Sequence, residues 1–451
     1  MLPFWDLWKR TEEGPECSEK DFDLRLFKRI TELRKEFDIK FDPEQPLPSD
    51  VSLAKDIYEA GLTLFLDLGT FCTSSQRIIK VTEEEVKEAL KEAPREIVVG
   101  QGNDVVKIGS KVSRVAIAGG PLACPVSENL YLKTMYSYAK ESLVDILYVG
   151  LLNDINGMTI KPRTPLEMAA ARKEALLARK ALEMARRPGL CITGVVHITA
   201  EATAFADYPE GLRPTDIHEI DPLNELKIDI ETLKRIYYCR ENKYITSSVM
   251  CPLIGGFAGG PEGVAMVSVA EALQAYTIIG AHIFLIGTTN IRTGSGTDKA
   301  ALWAGATAIS ALKSTQNVIV GDLIWTAAGP CTDVVCYEIA AKAIADVACG
   351  ADIISSAGCT RGKLIDHYTG MEARIAGLVA KASNIDLKQA SDIVKELINL
   401  YDNKVIRGEL PTPKSFAECY DLESVTPKAE YLSIWEKCKK KLEELGLAIR
   451  D

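Results

Sequence analysis

Short, continuously apolar runs alternate with longer segments of helical periodicity over most of the chain beyond residue 112. The apolar runs are typical of parallel strands that are buried on both faces. They cover residues 114–120, 144–150, 189–196, 244–250, 282–288, 317–325 and 351–358. The helical segments between them include residues 164–187, 264–280, 298–313 and 333–350.

Seven β/α units in succession predict an α/β fold, a closed (β/α)8 TIM barrel whose eighth strand the pattern does not place. A doubly wound sheet is the alternative, but no GxGxxG motif follows a first strand. Residues 1–110 form a mainly helical N-terminal region in this prediction, residues 111–384 the barrel core, and residues 385–451 C-terminal helices that pack on the barrel.

Capping residues support several helix starts. Thr82 and Glu85 predict a capping box ahead of the helix over 82–93. Thr164 with Pro165 and Glu167 predicts another at the start of the helix over 164–187.

Composition narrows the classes of function. The 451 residues include 63 acidic and 53 basic side chains, a net charge of −10. This balance disfavours a broad surface for nucleic acid or anionic membranes, because both need a concentrated basic face. No apolar stretch is long enough to predict a membrane span. Twelve cysteines without a CxxC pair indicate a reducing cytoplasm.

The active site of a barrel lies at the carboxyl ends of its strands and in the loops that follow them. His197 follows the run 189–196, and a long predicted loop then carries His218 and Glu219. These three side chains are candidates for acid–base catalysis or for holding zinc. A hydrogen-bonded core histidine is the alternative for His197. Thr193 lies within the strand, without a sequence neighbour that would make it a nucleophile.

Eight sequence blocks follow one another as they do in the monomethylamine:corrinoid methyltransferase family, from about residue 20 to residue 447. They are "GLTLFLDLGTFCTSSQRIIKVTEEEV", "AGGPLACPVSENL", "RRPG", "TDIHEIDPLNELKIDIETL", "PLIGGFAGGPE", "AAGPCTDVVCYE", "TGMEARIAGLVAKA" and "SFAECYDLESVTPKAEY". The resemblance implies a TIM barrel, a homo-oligomer, and docking of a separate corrinoid protein at the barrel mouth. The reduced cobalt of that partner would take a methyl group from a small-molecule donor, and this chain would hold no cofactor tightly.

The departures from the family pattern concern the substrate. Family members that act on monomethylamine carry pyrrolysine, an electrophilic imine, where this chain has Thr193. The resemblance keeps a family carboxylate as Glu219, whereas Val249 and Leu323 fall on a second carboxylate and on a glutamine. A threonine hydroxyl cannot capture an amine as an adduct, so the resemblance implies a changed methyl donor.

The leading hypothesis from these departures is O-demethylation of a methoxylated aromatic compound. Glu219, with His218 or His197, would act as the acid at the ether oxygen or hold zinc there. An apolar pocket would receive the ring. Its predicted members are Thr193, Tyr208, Val249, Phe257, Leu323 and Trp325.

Three alternatives stay open. A quaternary amine of the betaine type, or another methylamine, would need no imine and would favour an acidic wall with an aromatic cage. The chain could instead be an inactive binding partner of the corrinoid protein. It could also be an unrelated lyase or hydrolase with a metal at His197, His218 and Glu219.

Overall fold

Eight parallel strands form the centre of the molecule in the computed structural model, which describes residues 1–48, 51–110, 112, 114–207 and 210–450. The strands are β1 Ala116–Gly119, β2 Ile146–Tyr148, β3 Cys191–Thr193, β4 Ile217–Glu219, β5 Ile245–Met250, β6 Ile283–Ile286, β7 Val320–Trp325 and β8 Ile353–Gly358. Their order in the sheet is β3-β2-β1-β8-β7-β6-β5-β4. This topology confirms the predicted (β/α)8 barrel.

The barrel closes between β3 and β4 through side chains. The Ile192 amide of β3 donates to Asp216 Oδ1 at 2.9 Å, at the start of β4. At the other end of the two strands, Thr193 Oγ1 donates to Glu219 Oε1 at 3.1 Å. Side-chain hydrogen bonds thus join the two strands at which the backbone ladder ends.

Strand β4 corrects the sequence prediction, which placed residues 217–219 in a loop. The segment has only three residues, and two of them are His218 and Glu219. An apolar run is the usual sign of a buried barrel strand, and these polar residues remove it. The short strand is nevertheless buried at all three positions.

Helices surround the barrel and extend it at both ends. The N-terminal helices are α1 Phe4–Glu13, α2 Glu19–Glu36, α3 Val51–Leu68 and α4 Glu83–Glu92. The helices that follow the strands are α5 Glu128–Ala139, α6 Pro165–Met184, α7 Ala200–Phe205, α8 Ile230–Glu241, α9 Pro261–Gln274, α10 Lys299–Thr315, α11 Asp333–Ala348 and α12 Gly370–Ala382. The C-terminal helices are α13 Leu387–Arg407, α14 Phe416–Cys419 and α15 Ala429–Glu444.

One of the two predicted capping boxes forms. Thr82 and Glu85 bond each other's backbone at the start of α4, as predicted. The box at the start of α6 is wrong, because Thr164 Oγ1 donates to the Lys161 carbonyl instead. Glu167 is engaged by the Arg163 and Thr199 amides. Its carboxylate therefore ties α6 to the segment after β3.

A β-hairpin, which the sequence analysis did not predict, lies against one end of the barrel. Its strands, Glu96–Val99 and Val106–Gly109, pair antiparallel. Ile97, Val99 and Ile108 join the inward-facing residues of the barrel in one buried cluster. Other short strands are Thr70–Cys72, Arg77–Ile79, Pro125–Val126, Leu151–Leu152, Asp154–Ile155, Met158–Thr159, Lys227–Ile228, Leu253–Ile254, Thr289–Asn290, Tyr420–Asp421 and Thr426–Pro427.

The terminal helices share their core with the barrel helices. Buried side chains from α1 to α15 form one continuous cluster, and the boundaries at residues 110 and 385 stay a prediction. Within the described residues, no helix has both the length and the apolar character that a membrane crossing requires.

Candidate active site

Glu219 ends β4 with its side chain inside the barrel. Tyr148 ends β2 and Thr193 ends β3, and side chains alternate along a strand, so all three point inward at the same end. Tyr148 Oη donates to Glu219 Oε2 at 2.8 Å, and Thr193 Oγ1 donates to Oε1 at 3.1 Å. Glu219 is only 2% exposed. These contacts fix the carboxyl group in one orientation.

Asp221 lies two residues beyond Glu219, with its carboxylate on the same side of the chain. Its Oδ1 accepts a hydrogen bond from the Val249 amide at 2.9 Å. Burial raises the pKa of Asp221 to about 6, although the Val249 amide and the charge of Arg235 oppose the shift. Burial and then the charge of Asp221 raise the pKa of Glu219 well above its usual value. Two charges in this buried pair are therefore unfavourable, and Glu219 is the member whose protonated form the surroundings favour.

Tyr148 remains a neutral donor in this site. Burial and the nearby Glu219 raise the pKa of its phenol well above the ordinary value. Sequence reasoning missed both Tyr148 and Asp221. Tyr148 could have been found as the polar end of an apolar run, at the end of the barrel where active sites form. Asp221 becomes visible only when 217–219 is recognised as a strand, since alternation then aligns it with Glu219.

His197 lies outside this cluster, against the carboxylates of α6. Its Nε2 lies 2.8 Å from Glu174 Oε2, and its Nδ1 lies 4.0 Å from Glu167 Oε1. Burial lowers the pKa of His197, but the hydrogen bond and charge of Glu174 outweigh this effect, so the net pKa is raised. The two carboxylates therefore favour the protonated form of His197.

His218 points away from the barrel interior, because it alternates with Glu219 along β4. Its ring stacks on Tyr244 with centroids 3.9 Å apart, and its Nε2 lies 3.4 Å from Asp207 Oδ1. The side chain is buried between the strand and the helix layer. Its predicted role in catalysis finds no support in this position.

The zinc hypothesis placed Glu219 together with His218 or His197, and the alternative of a metal-dependent lyase or hydrolase required all three side chains to converge. The three side chains point in different directions. Glu219 faces inward, His218 faces outward, and His197 pairs with α6. Across residues 1–48, 51–110, 112, 114–207 and 210–450, no cluster of three or more His, Cys, Asp or Glu side chains is arranged to hold a metal ion.

The predicted substrate pocket is only partly assembled. Val249 and Leu323 face the barrel interior with Tyr148. Trp325 packs against the same inward-facing cluster, and its ring also contacts Gly358 and Gly362, where an added Cβ would lie 2.4 and 2.5 Å from it. Phe257 is 45% exposed, and its ring centroid lies 6.0 Å from Lys227 Nζ, at the surface. Tyr208 lies outside the described residues.

A cavity of about 540 Å³ opens between the segments that follow β1 to β4. We call it the side cavity. Its lining residues are Ala123, Pro125, Leu151, Leu152, Asn153, Thr159, Ile160, Pro162, Glu167, Val196, His197, Ile198, Asp221, Leu223, Asp229, Thr232 and Arg235. Asp221 belongs to this lining and also neighbours Glu219, so it connects the cavity with the carboxyl cluster inside the barrel.

Comparisons with known proteins agree over the whole chain. The family model "Monomethylamine methyltransferase MtmB" matches residues 2–447. Monomethylamine methyltransferase MtmB1 of Methanosarcina barkeri is 33% identical over 451 residues, which cover 98% of each chain. The chain belongs to the monomethylamine methyltransferase family. The MtmB protein of Methanosarcina mazei is 32% identical over the same length.

The solved structure of a family member has the same fold. The crystal structure of the Methanosarcina barkeri monomethylamine methyltransferase superposes with a TM-score of 0.95 at 32% identity, and the match covers 99% of this chain and 98% of that one. A hydroxylamine complex of MtmB gives the same values. The chain is therefore a corrinoid-dependent methyltransferase, as predicted.

Family membership favours a methylated amine over the methoxylated aromatic donor that the sequence analysis placed first. The aromatic donor finds no support in the comparisons. The position of Phe257 at the surface agrees with this outcome. The amine alternative is the reading that the family supports.

Proposed function

We propose that this chain transfers a methyl group from a methylated amine to the corrinoid of a separate protein, without a covalent amine adduct. One observation carries the proposal: in a member of this family, the carboxyl group of Glu219 is bonded by the Thr193 hydroxyl. The family resemblance matches Thr193 to the amine-capturing residue. A threonine hydroxyl offers no electrophile, so the donor has to be held by charge and shape.

Asp221 and Glu219 have different roles in this proposal. Asp221 is ionised at pH 7 and holds the ammonium group of the donor by charge. Glu219 lies beside Asp221, and burial and the charge of Asp221 raise its pKa, so in this proposal it holds the proton. When the carbon–nitrogen bond breaks, its electron pair stays on nitrogen. Glu219 then gives its proton to that lone pair, and the product leaves as an ammonium ion.

Protonation of the product amine prevents the reverse methyl transfer. A free amine is a nucleophile that could take the methyl group back, whereas its conjugate acid has no lone pair. The Glu219 carboxylate left behind regains a proton from water once the product has gone. Tyr148 and Thr193 position the carboxyl group during this cycle.

The corrinoid of the partner supplies the nucleophilic cobalt that receives the methyl group. The barrel end that carries Glu219 fits a docked protein, because the segments after several strands expose large apolar side chains there. These are Ile198, Leu223, Ile291, Leu364 and Ile365, which are 42–61% exposed. We call this set the mouth rim. Exposed apolar side chains that gather at one end of a domain are typical of protein interaction sites.

The twelve cysteines are all free thiols, which supports the proposal that the enzyme acts in a reducing cytoplasm. A homo-oligomer stays a prediction from the family resemblance.

The decisive experiment mixes the protein with its reduced corrinoid partner and one candidate donor at a time. The donors are monomethylamine, trimethylamine, a quaternary ammonium salt and 2-methoxybenzoate, and the absorption spectrum of the corrinoid reports the transfer. We expect transfer from at least one amine and none from 2-methoxybenzoate. Transfer from 2-methoxybenzoate alone would contradict the proposal and restore the aromatic donor.

A further inference from the structure

We infer that the side cavity binds the methyl donor, and that this donor is an aliphatic ammonium ion with a larger carbon body than methylammonium. The inference rests on the proposed function for the identity of the ligand as a donor. It is carried by the size of the cavity, its apolar walls and the position of Asp221.

The cavity is much larger than methylammonium needs. A water molecule in the liquid occupies about 30 Å³, and methylammonium has only two non-hydrogen atoms. The volume of about 540 Å³ falls within the range of sites for whole organic ligands, roughly 300–1,000 Å³. A methylammonium ion would leave most of the space to water.

The walls are mainly aliphatic. Leu151, Leu152, Ile160, Val196 and Leu223 come from the segments after β2, β3 and β4. Aliphatic surface gains free energy when it loses contact with water, so these side chains favour a ligand with an alkyl body. The described part of the lining contains no Phe, Tyr or Trp ring, which disfavours an aromatic cage and a planar aromatic donor.

The charge of the cavity favours a cation. Glu167, Asp221 and Asp229 line it with His197 and Arg235. Glu167 and the Glu174 carboxylate behind the wall flank the His197 ring.

Two other charges of the lining are also engaged. Asp229 accepts hydrogen bonds from the Thr232 amide and hydroxyl at the start of α8. Arg235 donates to the His197, Ile198 and Asp221 carbonyls. Asp221 is held by the Val249 amide through Oδ1 and feels the charge of Arg235, which leaves its second oxygen to meet a ligand cation. It lies next to Glu219, where the methyl group must be released.

Direct binding tests the inference without any corrinoid. Calorimetry on the purified full chain at pH 7.5 would compare two probes, tetramethylammonium and butyltrimethylammonium. The butyl chain adds three methylene groups, and burying each one improves affinity about 4-fold. We expect butyltrimethylammonium to bind about 10- to 60-fold more tightly. Equal affinities, or no binding of either probe, would overturn the inference.

Two variants assign the binding to this cavity. Asp221→Asn keeps the size of the side chain and an oxygen for the Val249 amide, and we expect it to weaken both probes about 10-fold by removing the charge. Val196→Phe fills the cavity, and we expect it to abolish the preference for the butyl probe. Glu201→Gln is the control, because it removes one negative charge from an exposed side chain outside the lining. Unchanged binding in both cavity variants would overturn the inference.

The outcomes separate this inference from the proposed function. If the protein binds butyltrimethylammonium but transfers no methyl group from any amine, the binding site stands and the proposed function fails. If the protein demethylates monomethylamine and binds neither probe, the proposed function stands and this inference fails.

Discussion

Glu219 is the residue whose surroundings fit proton donation most directly, since it is buried, bonded by two hydroxyl groups and next to a second acid. Glu219→Gln keeps the shape of the side chain but removes the acidic proton. We expect a methyl transfer rate about 10- to 1,000-fold lower, measured from the corrinoid spectrum. His218→Gln is the comparison on the opposite face of β4, and a larger loss of rate there than for Glu219→Gln would contradict the assignment.

The Thr193 hydroxyl adjusts the pKa of Glu219 in the proposed mechanism. The hydrogen bond from Thr193 lowers the pKa of Glu219, so Thr193→Val should raise that pKa further. Activity that needs the Glu219 proton would then persist to higher pH, and the basic limb of the pH–rate profile would move upward. Thr193→Ser keeps the hydroxyl and should keep the original profile. Identical profiles in the valine and serine variants would exclude this role for the hydroxyl.

Asp221 sets the acid limit of activity. The pKa of Asp221 is raised to about 6, so its charge is present above that pH and is lost below it. Because the charge holds a cationic donor, kcat/KM should fall about tenfold per pH unit below about pH 6. The measurement is kcat/KM for the amine donor between pH 4.5 and 8. Asp221→Asn should remove this limb, and its survival in the variant would assign the limb to another group.

At the scale of elements, an aspartate at the start of a strand recurs around the barrel. Asp145, Asp216 and Asp352 precede β2, β4 and β8, and each accepts the amide of a residue in the strand before it in the chain. The partners are Ile117, Ile192 and Val320, at 2.9–3.0 Å. A basic side chain pairs with each aspartate, namely Arg114, Arg179 and Lys313.

Of these three aspartates, Asp216 closes the barrel between β3 and β4. Its carboxylate pairs with the buried side chain of Arg179. Asp216→Asn leaves that guanidinium without a buried counter-charge, and we expect a loss of about 3–5 kcal/mol in the free energy of unfolding. Urea unfolding followed by circular dichroism would measure it. Glu201→Gln breaks an exposed ion pair and should cost about 1 kcal/mol or less. A similar effect of both changes would show that Asp216 does not close the barrel.

Elements with a strong apolar pattern could be predicted from the sequence, and elements built for a site could not. Seven strands, from β1 to β8 without β4, were identified as continuous apolar runs. The sequence does not predict strand β4, because its two polar residues interrupt the apolar pattern. Glu219 points inward and His218 points into the helix layer. The capping box at Thr164 failed for a related reason, since Glu167 instead bonds residues across a loop. Local pattern rules fail where a side chain serves a distant contact.

At the scale of the whole molecule, the eight sequence blocks predicted the family, which the comparisons confirm, whereas the contacts of the carboxyl cluster appear only in the three-dimensional structure. The order of the blocks along the chain can be read from the sequence alone. The position of a side chain depends on strand alternation and on partners that are far apart in the chain. Glu219 and Tyr148 are 71 residues apart, and their hydrogen bond became visible only in the fold.

The two ends of the barrel differ in a way that predicts where the corrinoid protein docks. The end with Glu219 carries the exposed apolar mouth rim, whereas the hairpin of residues 96–109 packs on the inward-facing cluster by way of Ile97 and Val99. Ile291 of the rim is 61% exposed, and Val98 of the hairpin is 47% exposed. A docked partner would cover Ile291 and leave Val98 in water.

Ile291→Asp therefore should raise the KM for the corrinoid protein about 10-fold or more, because burying an unpaired charge in an interface is unfavourable. Val98→Asp is the matched control, with the same new charge on an exposed side chain of the hairpin, and should leave that KM unchanged. Binding of butyltrimethylammonium should be the same in both variants, since neither residue lines the side cavity. A rise in KM for Val98→Asp alone would place the partner on the hairpin end and separate docking from the carboxyl cluster.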